Sequence, residues 1–253
     1  MACTDQEYFV GQGEVLIRPL ADNCGDPTNG WRKLGDANEL TLSTSQSFNE
    51  HFESTSGVRR KAARWLTETS SEFTLSVQNL SLDNLADLLQ GDKSAAVAAG
   101  TITDEVVEFV YEGRWVYTVH QGISAVTVKS NAGANTLTVN VDYELDTRNG
   151  GIKILDDTDV VNNTITVTYT HVGSQGTVDA LQNGVVEFQI RFNGINMNAP
   201  NSPVIVELKR AQVNAAETLN LIGTDITSLT FTGALLGDTD GKYFTVKKSN
   251  SVA

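Results

Sequence analysis

The chain has 253 residues, a length that suits one large all-β unit or two small domains. Hydrophobic residues make up 40% of it, enough for a core, yet no apolar run approaches the roughly 20 residues of a membrane-spanning helix. The 31 acidic and 18 basic residues give a formal net charge of −13, which argues against a protein that holds nucleic-acid phosphates tightly.

The first residues lack the basic and apolar regions of a secretory signal, and the only cysteines are Cys3 and Cys24. Two cysteines do not form a disulfide framework, so we expect synthesis in a reducing, intracellular compartment. A Cys3–Cys24 bridge is the less favoured alternative.

The first predicted strand covers residues 13–19 and ends at Pro19, because proline cannot continue a sheet ladder. Two further strands are predicted at 39–47 and 71–78, where apolar residues alternate with Ser, Thr and Gln. Each of these strands should bury one face and leave a polar face toward water.

Residues 48–63, between the two alternating runs, are acidic at first and basic later, with Gly57 in between. This order predicts a long hairpin arm that reaches away from the core. Because an isolated two-stranded ribbon is marginal in water, two interpretations stay open. The segment is either a floppy surface loop or an arm that becomes ordered against another subunit.

A short helix is predicted at about residues 81–90. Ser81 is a suitable N-cap, and Asp83 in the first turn is favoured by the helix dipole. Gly91 suits a left-handed C-terminal turn. The apolar stripe should consist of Leu82, Leu85, Ala86 and Leu89.

Short strands separated by turn residues follow from residue 104 onward. The predicted strands are 106–111, 115–119, 123–128, 136–143, 152–155, 164–170, 186–192, 203–210, 219–222, 226–232 and 243–248. Their even spacing predicts a mainly β fold, a β-sandwich or open barrel with one flanking helix. We expect a single domain over residues 1–253, and an inserted or elaborated β subdomain at 104–172 is left open.

Catalytic and metal-binding signatures are missing from the sequence. His51, His120 and His171 are scattered, with no His-x-x-x-His or Cys-x-x-Cys spacing. The acidic run 156–159 lacks the glycine and distal glutamate of a calcium loop, so a solvated turn is the better interpretation. We therefore predict no enzyme activity and no cofactor.

Three groups of residues carry a family resemblance. The first is Gly13 to Pro19 followed by Leu34 to Leu42. The second is His51-Phe52-Glu53-Ser54 with Gly57 and a basic cluster, then Phe73-Thr74-Leu75 and Leu82-Asp83-Asn84-Leu85-Ala86. The third is Phe188 to Asn196, Val206 to Arg210, Leu219 to Gly223 and Leu229 to Leu236. In this order they resemble the major tail tube proteins of long, non-contractile-tailed bacteriophages, while residues 104–172 match less distinctively.

The resemblance implies a structural virion protein, synthesised and assembled in the bacterial host cytoplasm and located in the phage tail. Its members form hexameric rings that stack into a hollow tube around a tape-measure protein, and phage DNA later passes through the lumen. Related tube proteins occur in contractile tails and in type VI secretion. The implied partners are other copies of the chain and the tape-measure, tail-tip or baseplate and tail terminator proteins, with no membrane.

Four alternating segments, 39–47, 71–78, 185–193 and 203–210, are the candidates for the lumen wall. The polar residues predicted to face the lumen are Glu39, Thr41, Ser43, Thr74, Ser76, Gln78, Glu187 and Gln189. Such a wall offers DNA no hydrophobic patch and few cations. Arg191 departs from this pattern, as does Lys209 if it faces inward.

The residues expected to hold the arm against a neighbouring subunit are Phe48, Glu50, Phe52, Glu53, Arg59, Arg60, Lys61, Arg64 and Trp65. Its acids and bases are expected to pair across rings. Each exposed pair would contribute only ~0–1 kcal/mol, so the aromatic residues should carry the interface.

One alternative function is a β-sandwich binding or adhesion module associated with a phage tail or a cell surface. Such a module would be a stable monomer with ligand-binding loops at its ends. A hydrolase that uses carboxylate catalysis is a further alternative, and nothing in the sequence points to it.

Overall fold

The computed structural model describes residues 9–20, 29–55, 57–130, 135–216 and 218–249, apart from the side chains of 199–201. The Cys3–Cys24 bridge lies outside the described residues. The chain divides into two compact units. Unit 1 comprises Met1–Lys93 and Val178–Ala253, and unit 2 comprises Ser94–Thr177, which includes the whole 104–172 stretch.

The described residues form sixteen strands and one helix, so the fold is mainly β as predicted. In chain order the elements are β1 (Gly11–Pro19), β2 (Arg32–Lys33), β3 (Ala37–Glu53), β4 (Arg60–Val77), α1 (Leu82–Leu88), β5 (Asp92–Lys93), β6 (Gly100–Glu108), β7 (Trp115–Tyr117), β8 (Ile123–Ser130), β9 (Tyr143–Asp146), β10 (Gly151–Ile154), β11 (Thr164–His171), β12 (Val178–Asp179), β13 (Glu187–Asn196), β14 (Ala199–Val213), β15 (Leu229–Leu236) and β16 (Phe244–Lys248).

Unit 1 contains an open eight-stranded sheet with the order β2-β1-β13-β14-β15-β4-β3. All its pairings are antiparallel, and β16 pairs with residues 204–208 of β14 while β15 pairs with residues 210–213. A short β12-β5 ladder joins the two stretches of chain that make up the unit. The sheet ends at β2 on one side and at the 17-residue strand β3 on the other.

The two faces of this sheet differ because strand side chains alternate. The core face carries the buried apolar residues of unit 1. They are Val15, Ile17, Phe73, Leu75, Val77, Phe188, Ile190, Leu208, Ala211, Val213, Leu229, Phe231 and Leu235. The opposite face, called the outer face below, carries polar residues such as Thr41, Thr74, Gln189 and Glu207.

The helix α1 covers part of the core face through Leu88, which is buried, and Leu85. The Ser81 hydroxyl caps it as predicted, accepting a hydrogen bond from the backbone of Asn84 at 3.2 Å. The predicted apolar stripe is wrong in detail, because the fully buried positions are Asn84 and Leu88. A seven-residue helix presents little more than one row of side chains, and here that row is shifted by one position.

The helix C-terminus also differs from the prediction. Gln90, and not Gly91, takes the left-handed conformation, with a φ of +48°. The backbone N–H of Gly91 then donates to the carbonyl of Ala86 at 2.8 Å, which is the longer bond of a Schellman motif. The Gln90 side chain donates to the carbonyl of Val213 at 3.0 Å, so this contact with β14 holds the residue there.

Asn84 ties the helix to the segment before β3. Its amide nitrogen donates to the carbonyls of Leu34 and Asn79, both at 2.9 Å, and its amide oxygen accepts from Arg32 at 2.5 Å. Arg32 also pairs with Asp87, one turn along the helix. Burial raises the pKa of Asp87, and Arg32 opposes that effect by lowering it. The sequence offered no signal for this polar contact within an apolar face.

Strands β3 and β4 pair along almost their whole lengths and form one long hairpin. Only its base packs on the core. Every described residue from Ser43 to Glu68 is exposed except Glu50, which is half-buried. The part of the ladder beyond the register pair Ser45 and Ser70 is named the projecting hairpin (residues 45–70) below, and it is longer than the predicted arm.

Unit 2 consists of two three-stranded sheets, β7-β10-β9 and β6-β11-β8. Both sheets contribute to one core, in which Ile152, Ile154, Ile165, Val167 and Tyr169 are fully buried. The arrangement is that of a small β-sandwich.

Two predicted strands do not form. At 136–143 the chain turns, because the Asp142 carboxylate accepts the backbone N–H of Thr138 at 2.6 Å and folds the segment back on itself. Residues 219–222 are loop with no sheet partner among the described strands, and Ile222 is 98% exposed.

We expect Asn84→Leu to lower the free energy of unfolding by roughly 2 kcal/mol, because the carbonyls of Leu34 and Asn79 each lose a hydrogen bond and Arg32 loses an acceptor. Urea denaturation followed by circular dichroism measures the change. Asn38→Leu is the matched control, since Asn38 is exposed on β3. Equal stabilities of the two variants would contradict the anchoring role of Asn84.

Candidate functional site

Two aromatic residues of the projecting hairpin, Phe48 and Phe52, lie under cationic side chains. The guanidinium carbon of Arg64 lies 3.5 Å from the ring centre of Phe48, and that of Arg59 lies 4.6 Å from the ring centre of Phe52. Lys61 approaches the Phe52 ring at 6.0 Å. These cation–π contacts stiffen a ribbon that has no core beneath it.

Three charged residues of the hairpin form ion pairs within it. Glu50 binds Lys61 at 2.5 Å and Arg64 at 3.6 Å. Glu53 lies opposite Arg60 in the strand register. Within one chain, the antiparallel register places both cationic partners of Glu50 beside it, and pairing of the arm across rings stays a prediction.

The predicted arm residues divide between the two sides of the hairpin. Phe48, Glu50 and Phe52 occupy alternate positions of β3 in phase with Leu40 and Leu42, so they continue the core face outward. Leu66 pairs with Phe48 on that side and Arg64 pairs with Glu50. Trp65 pairs with Asn49 and points to the outer side. Phe48 and Phe52 are each 38% exposed, and Trp65 is 49% exposed.

The predicted lumen residues on β3 and β4 form one cross-strand group on the outer face. Thr41 pairs with Thr74, Glu39 with Ser76, and Ser43 lies opposite Glu72. Hydroxyl groups predominate in this group. Gln78 follows the end of β4 and is exposed.

The predicted lumen residues on β13 stand apart from that group, because β14 and β15 separate β13 from β4. Gln189 lies on the outer face and accepts hydrogen bonds from Arg18 at 2.8 and 2.5 Å. The alternating pattern thus identifies residues of the outer face, but the eight predicted residues do not lie in one patch.

Glu187 corrects the prediction of a solvent-facing carboxylate. Its side chain is 5% exposed, and Arg210 donates to both carboxylate oxygens at 2.8 Å. Arg210 also donates to the carbonyl of Gly237 at 3.1 Å. Glu187 is therefore a structural ion-pair residue, and a sequence pattern of alternating polar residues cannot reveal its partner 23 positions away.

Three cations surround one carboxylate on the same face. Glu207 accepts from Arg191 at 2.8 Å, from Lys247 at 2.9 Å and from Lys209 at 3.2 Å. The hydrogen bond from Lys247, followed by that from Lys209, holds the pKa of Glu207 below its ordinary value. This part of the outer face is cationic, and two of its cations are Arg191 and Lys209, the residues that departed from the predicted polar pattern.

An apolar groove of about 1030 Å³ lies where the two ends of the unit 1 sheet approach each other. Its walls include Val15 from β1, Phe192 from β13, and Val206 and Val246 from β14 and β16. Leu40 and Leu42 of β3 form the opposite wall. β1 and β3 are far apart in the strand order, so the sheet must curl to bring them together. No sequence pattern signals this groove, because it depends on that curl.

Unit 2 brings together two of the scattered histidines. The rings of His120 and His171 stack with centres 3.9 Å apart, and Tyr169 lies beside them. The Tyr169 hydroxyl donates to Glu105, and burial together with this hydrogen bond raises the pKa of Tyr169 to about 12. The phenol keeps its proton at neutral pH, so it is a structural donor.

Within the described ranges, no group of three or more His, Cys, Asp or Glu residues is arranged to hold a metal ion. No described helix is long and apolar enough to span a membrane.

We expect Glu187→Ala to lower the free energy of unfolding by about 3–5 kcal/mol, because it removes the buried carboxylate that accepts two hydrogen bonds from Arg210. Glu39→Ala, at the exposed predicted lumen acid, should change it by less than about 0.5 kcal/mol. Urea denaturation compares the two variants. Similar values would contradict the distinction between a structural and an exposed glutamate.

The lowered pKa of Glu207 predicts that its contribution to stability depends on pH. Its stabilising effect should be fully present above its ordinary pKa of 4.5 and be lost as the pH falls through the lower folded value. The stability difference between the native chain and Glu207→Gln should therefore shrink between about pH 6 and about pH 3. Thermal unfolding at several pH values measures this difference, and a constant difference would contradict the assignment.

The sequence was compared with curated proteins and with protein-family models. A search of curated proteins gave no match. A family model described as "Protein of unknown function UCP028589" matches residues 8–245, which is nearly the whole chain and includes both compact units. The chain therefore belongs to the UCP028589 family.

Proposed function

We propose that this protein is a structural tail tube subunit of the type found in long, non-contractile-tailed phages. Copies of the chain assemble into rings, hexameric by the resemblance, and the rings stack into the hollow tube through which phage DNA passes. The observation that carries the proposal is the projecting hairpin, a long ordered ribbon with exposed aromatic residues and no core of its own.

The hairpin supports assembly because a two-stranded ribbon gains little stability alone in water. Phe48, Phe52, Trp65 and Leu66 are between 38% and 49% exposed. Exposed apolar residues grouped on one element mark an interaction surface more often than single exposed residues do. A neighbouring subunit would bury these side chains and supply the apolar contacts that the hairpin lacks within one chain.

The open edge of the sheet also favours assembly. β3 is 17 residues long and pairs only with β4 among the described strands, so its other edge presents unpaired backbone groups. Such an edge invites pairing with another chain, and closure into a ring satisfies every edge at once. A single copy would leave this edge exposed to aggregation.

The part of the outer face that β3 and β4 form suits a surface along which DNA passes without binding tightly. Thr41, Ser43, Thr74 and Ser76 present hydroxyl groups there, and the acids Glu39 and Glu72 lie beside them. The cationic group around Glu207 lies on other strands, β13, β14 and β16. We therefore propose β3 and β4 as the lumen-facing strands.

The proposed partners are further copies of the chain, a tape-measure protein, and tail-tip or baseplate and tail terminator proteins. The proposed location is the virion, after assembly in the bacterial host. No cofactor is required for such a role.

Shortening the hairpin tests the proposal. Residues 46–69 would be replaced by Asn-Gly, which forms a two-residue turn between the register pair Ser45 and Ser70. We expect a folded monomer that does not associate, because the core of unit 1 is untouched and the proposed contact is removed. Sedimentation velocity across a concentration series measures association.

The matched control keeps the hairpin and changes only its turn, through the double substitution Ser54→Asp and Thr55→Gly. This variant should associate like the native chain. Normal association of the shortened variant would contradict the proposed role of the hairpin, as would a native chain that stays monomeric at every concentration.

A further inference from the structure

We propose that one sheet of unit 2 binds a neutral sugar chain on its solvent-facing side. The binding surface, named the aromatic platform below, combines two exposed aromatic rings with a carboxylate that hydrogen bonds hold in place. Its residues are Trp115 and Tyr117 on β7, Gly151 and Lys153 on β10, and Glu144 and Asp146 on β9. The platform lies wholly within unit 2, so the proposal does not depend on assembly of copies.

Strand alternation and register bring these residues to one face of the β7-β10-β9 sheet. The isoleucines of β10 are fully buried, so the residues that alternate with them point away from the core. Residues that pair across strands share a face. One row consists of Tyr117, Gly151 and Asp146, and the next row consists of Trp115, Lys153 and Glu144.

The two rings meet above the backbone of Gly151. A Cβ atom at this position would lie 3.1 Å from Cε3 of Trp115 and 3.1 Å from Cε1 of Tyr117. Because glycine has no side chain, both rings reach over the strand. Trp115 is 43% exposed and Tyr117 is 60% exposed, and they stand about 7 Å apart along β7. They form one aromatic surface that faces solvent.

The carboxylate of Asp146 is oriented beside this surface. It accepts hydrogen bonds from the Asn149 side chain at 2.7 Å and from the backbone N–H groups of Arg148 and Asn149 at 3.1 and 3.2 Å. The hydrogen bond from the Asn149 side chain, followed by that from its backbone, holds the pKa of Asp146 below its ordinary value. An ionised carboxylate accepts about four hydrogen bonds, so a fourth donor can still bind here.

A sugar ring matches this combination of groups. Its C–H groups carry a partial positive charge and pack on the negative faces of aromatic rings. Its hydroxyl groups donate to carboxylates and accept from ammonium groups. The platform offers the rings in one part, the Asp146 carboxylate in another, and the ion pair of Lys153 with Glu144 at 3.2 Å between them.

The charges of the platform favour a neutral sugar over an acidic one. Lys153 balances Glu144, and the positive charge of Arg148 also acts on Asp146. No excess of positive charge is therefore present to attract a carboxylate or sulfate group of an acidic sugar.

The aromatic area is too small for a stable protein partner. A fully covered tryptophan or tyrosine buries about 150–250 Å², so the exposed parts of Trp115 and Tyr117 together offer about 200 Å². A stable protein interface needs about 800 Å² on each partner. The rest of the platform is polar, so the apolar contact is limited to one or two sugar rings.

Saturation-transfer NMR of the full chain tests the proposal with four sugars. Cellotetraose, maltotetraose and chitotetraose are the neutral probes, and tetragalacturonate is the acidic probe. We expect at least one neutral probe to receive saturation from the protein and tetragalacturonate to receive none. Isothermal titration calorimetry then measures the affinity of the neutral sugar that binds.

Variants of the platform test the residues. Trp115→Ala and Tyr117→Ala should each weaken this affinity about tenfold, because each removes one stacking ring. Gly151→Ala should weaken it as well, since the added methyl group displaces both rings. Tyr117→Phe keeps the ring and should bind like the native chain. Circular dichroism verifies that every variant folds.

Trp65→Ala is the matched control, because Trp65 is 49% exposed and lies in unit 1. It should leave the affinity for the sugar unchanged. A decaproline peptide is the competing probe, since extended proline-rich peptides also bind exposed aromatic residues.

Four results would overturn the proposal. They are no binding of any neutral probe, binding of tetragalacturonate alone, binding of decaproline in place of the sugars, and equal affinities of Trp115→Ala and the native chain. None of these results concerns assembly, so the proposed function would stand or fall separately.

Discussion

Strands β3 and β4 stay paired along a ladder that extends well beyond the end of the hydrophobic core. At the base of this hairpin Phe73, Leu75 and Val77 are buried in unit 1. Beyond Ser43 and Glu68 the same ladder continues with both faces exposed. Backbone pairing and cation–π contacts order the ribbon, yet they do not supply the apolar burial that stabilises most sheets. In our proposal, a neighbouring subunit supplies the apolar burial that the ribbon lacks.

The outer face of unit 1 serves two purposes that the alternating sequence does not distinguish. On β3 and β4 it is an exposed, hydroxyl-rich surface. On β13, β14 and β16 it is a network of ion pairs in which Glu187 and Glu207 hold four cations. The second region stabilises the sheet, and its buried carboxylate at Glu187 cannot contact anything in a lumen. A role in passage of DNA therefore falls to β3 and β4 in our proposal.

Much of the fold follows from local sequence patterns. The strands β4, β13 and β15 were predictable because apolar residues occupy every second position, and α1 because Ser81 caps it. The buried row of α1 was missed since its central residue, Asn84, is polar and finds its partners on a distant segment. The Glu187–Arg210 pair and the groove were missed for a related reason. Both depend on which strands become neighbours and on how the sheet curls, which periodicity does not determine.

The central claim is that the chain forms a hollow tube by self-assembly, and negative-stain electron microscopy of the purified protein across a concentration series tests it most directly. The account predicts rings at intermediate concentrations and hollow tubes with a regular axial repeat at high concentrations. Discrete monomers at every concentration, or irregular aggregates without a central channel, would contradict it.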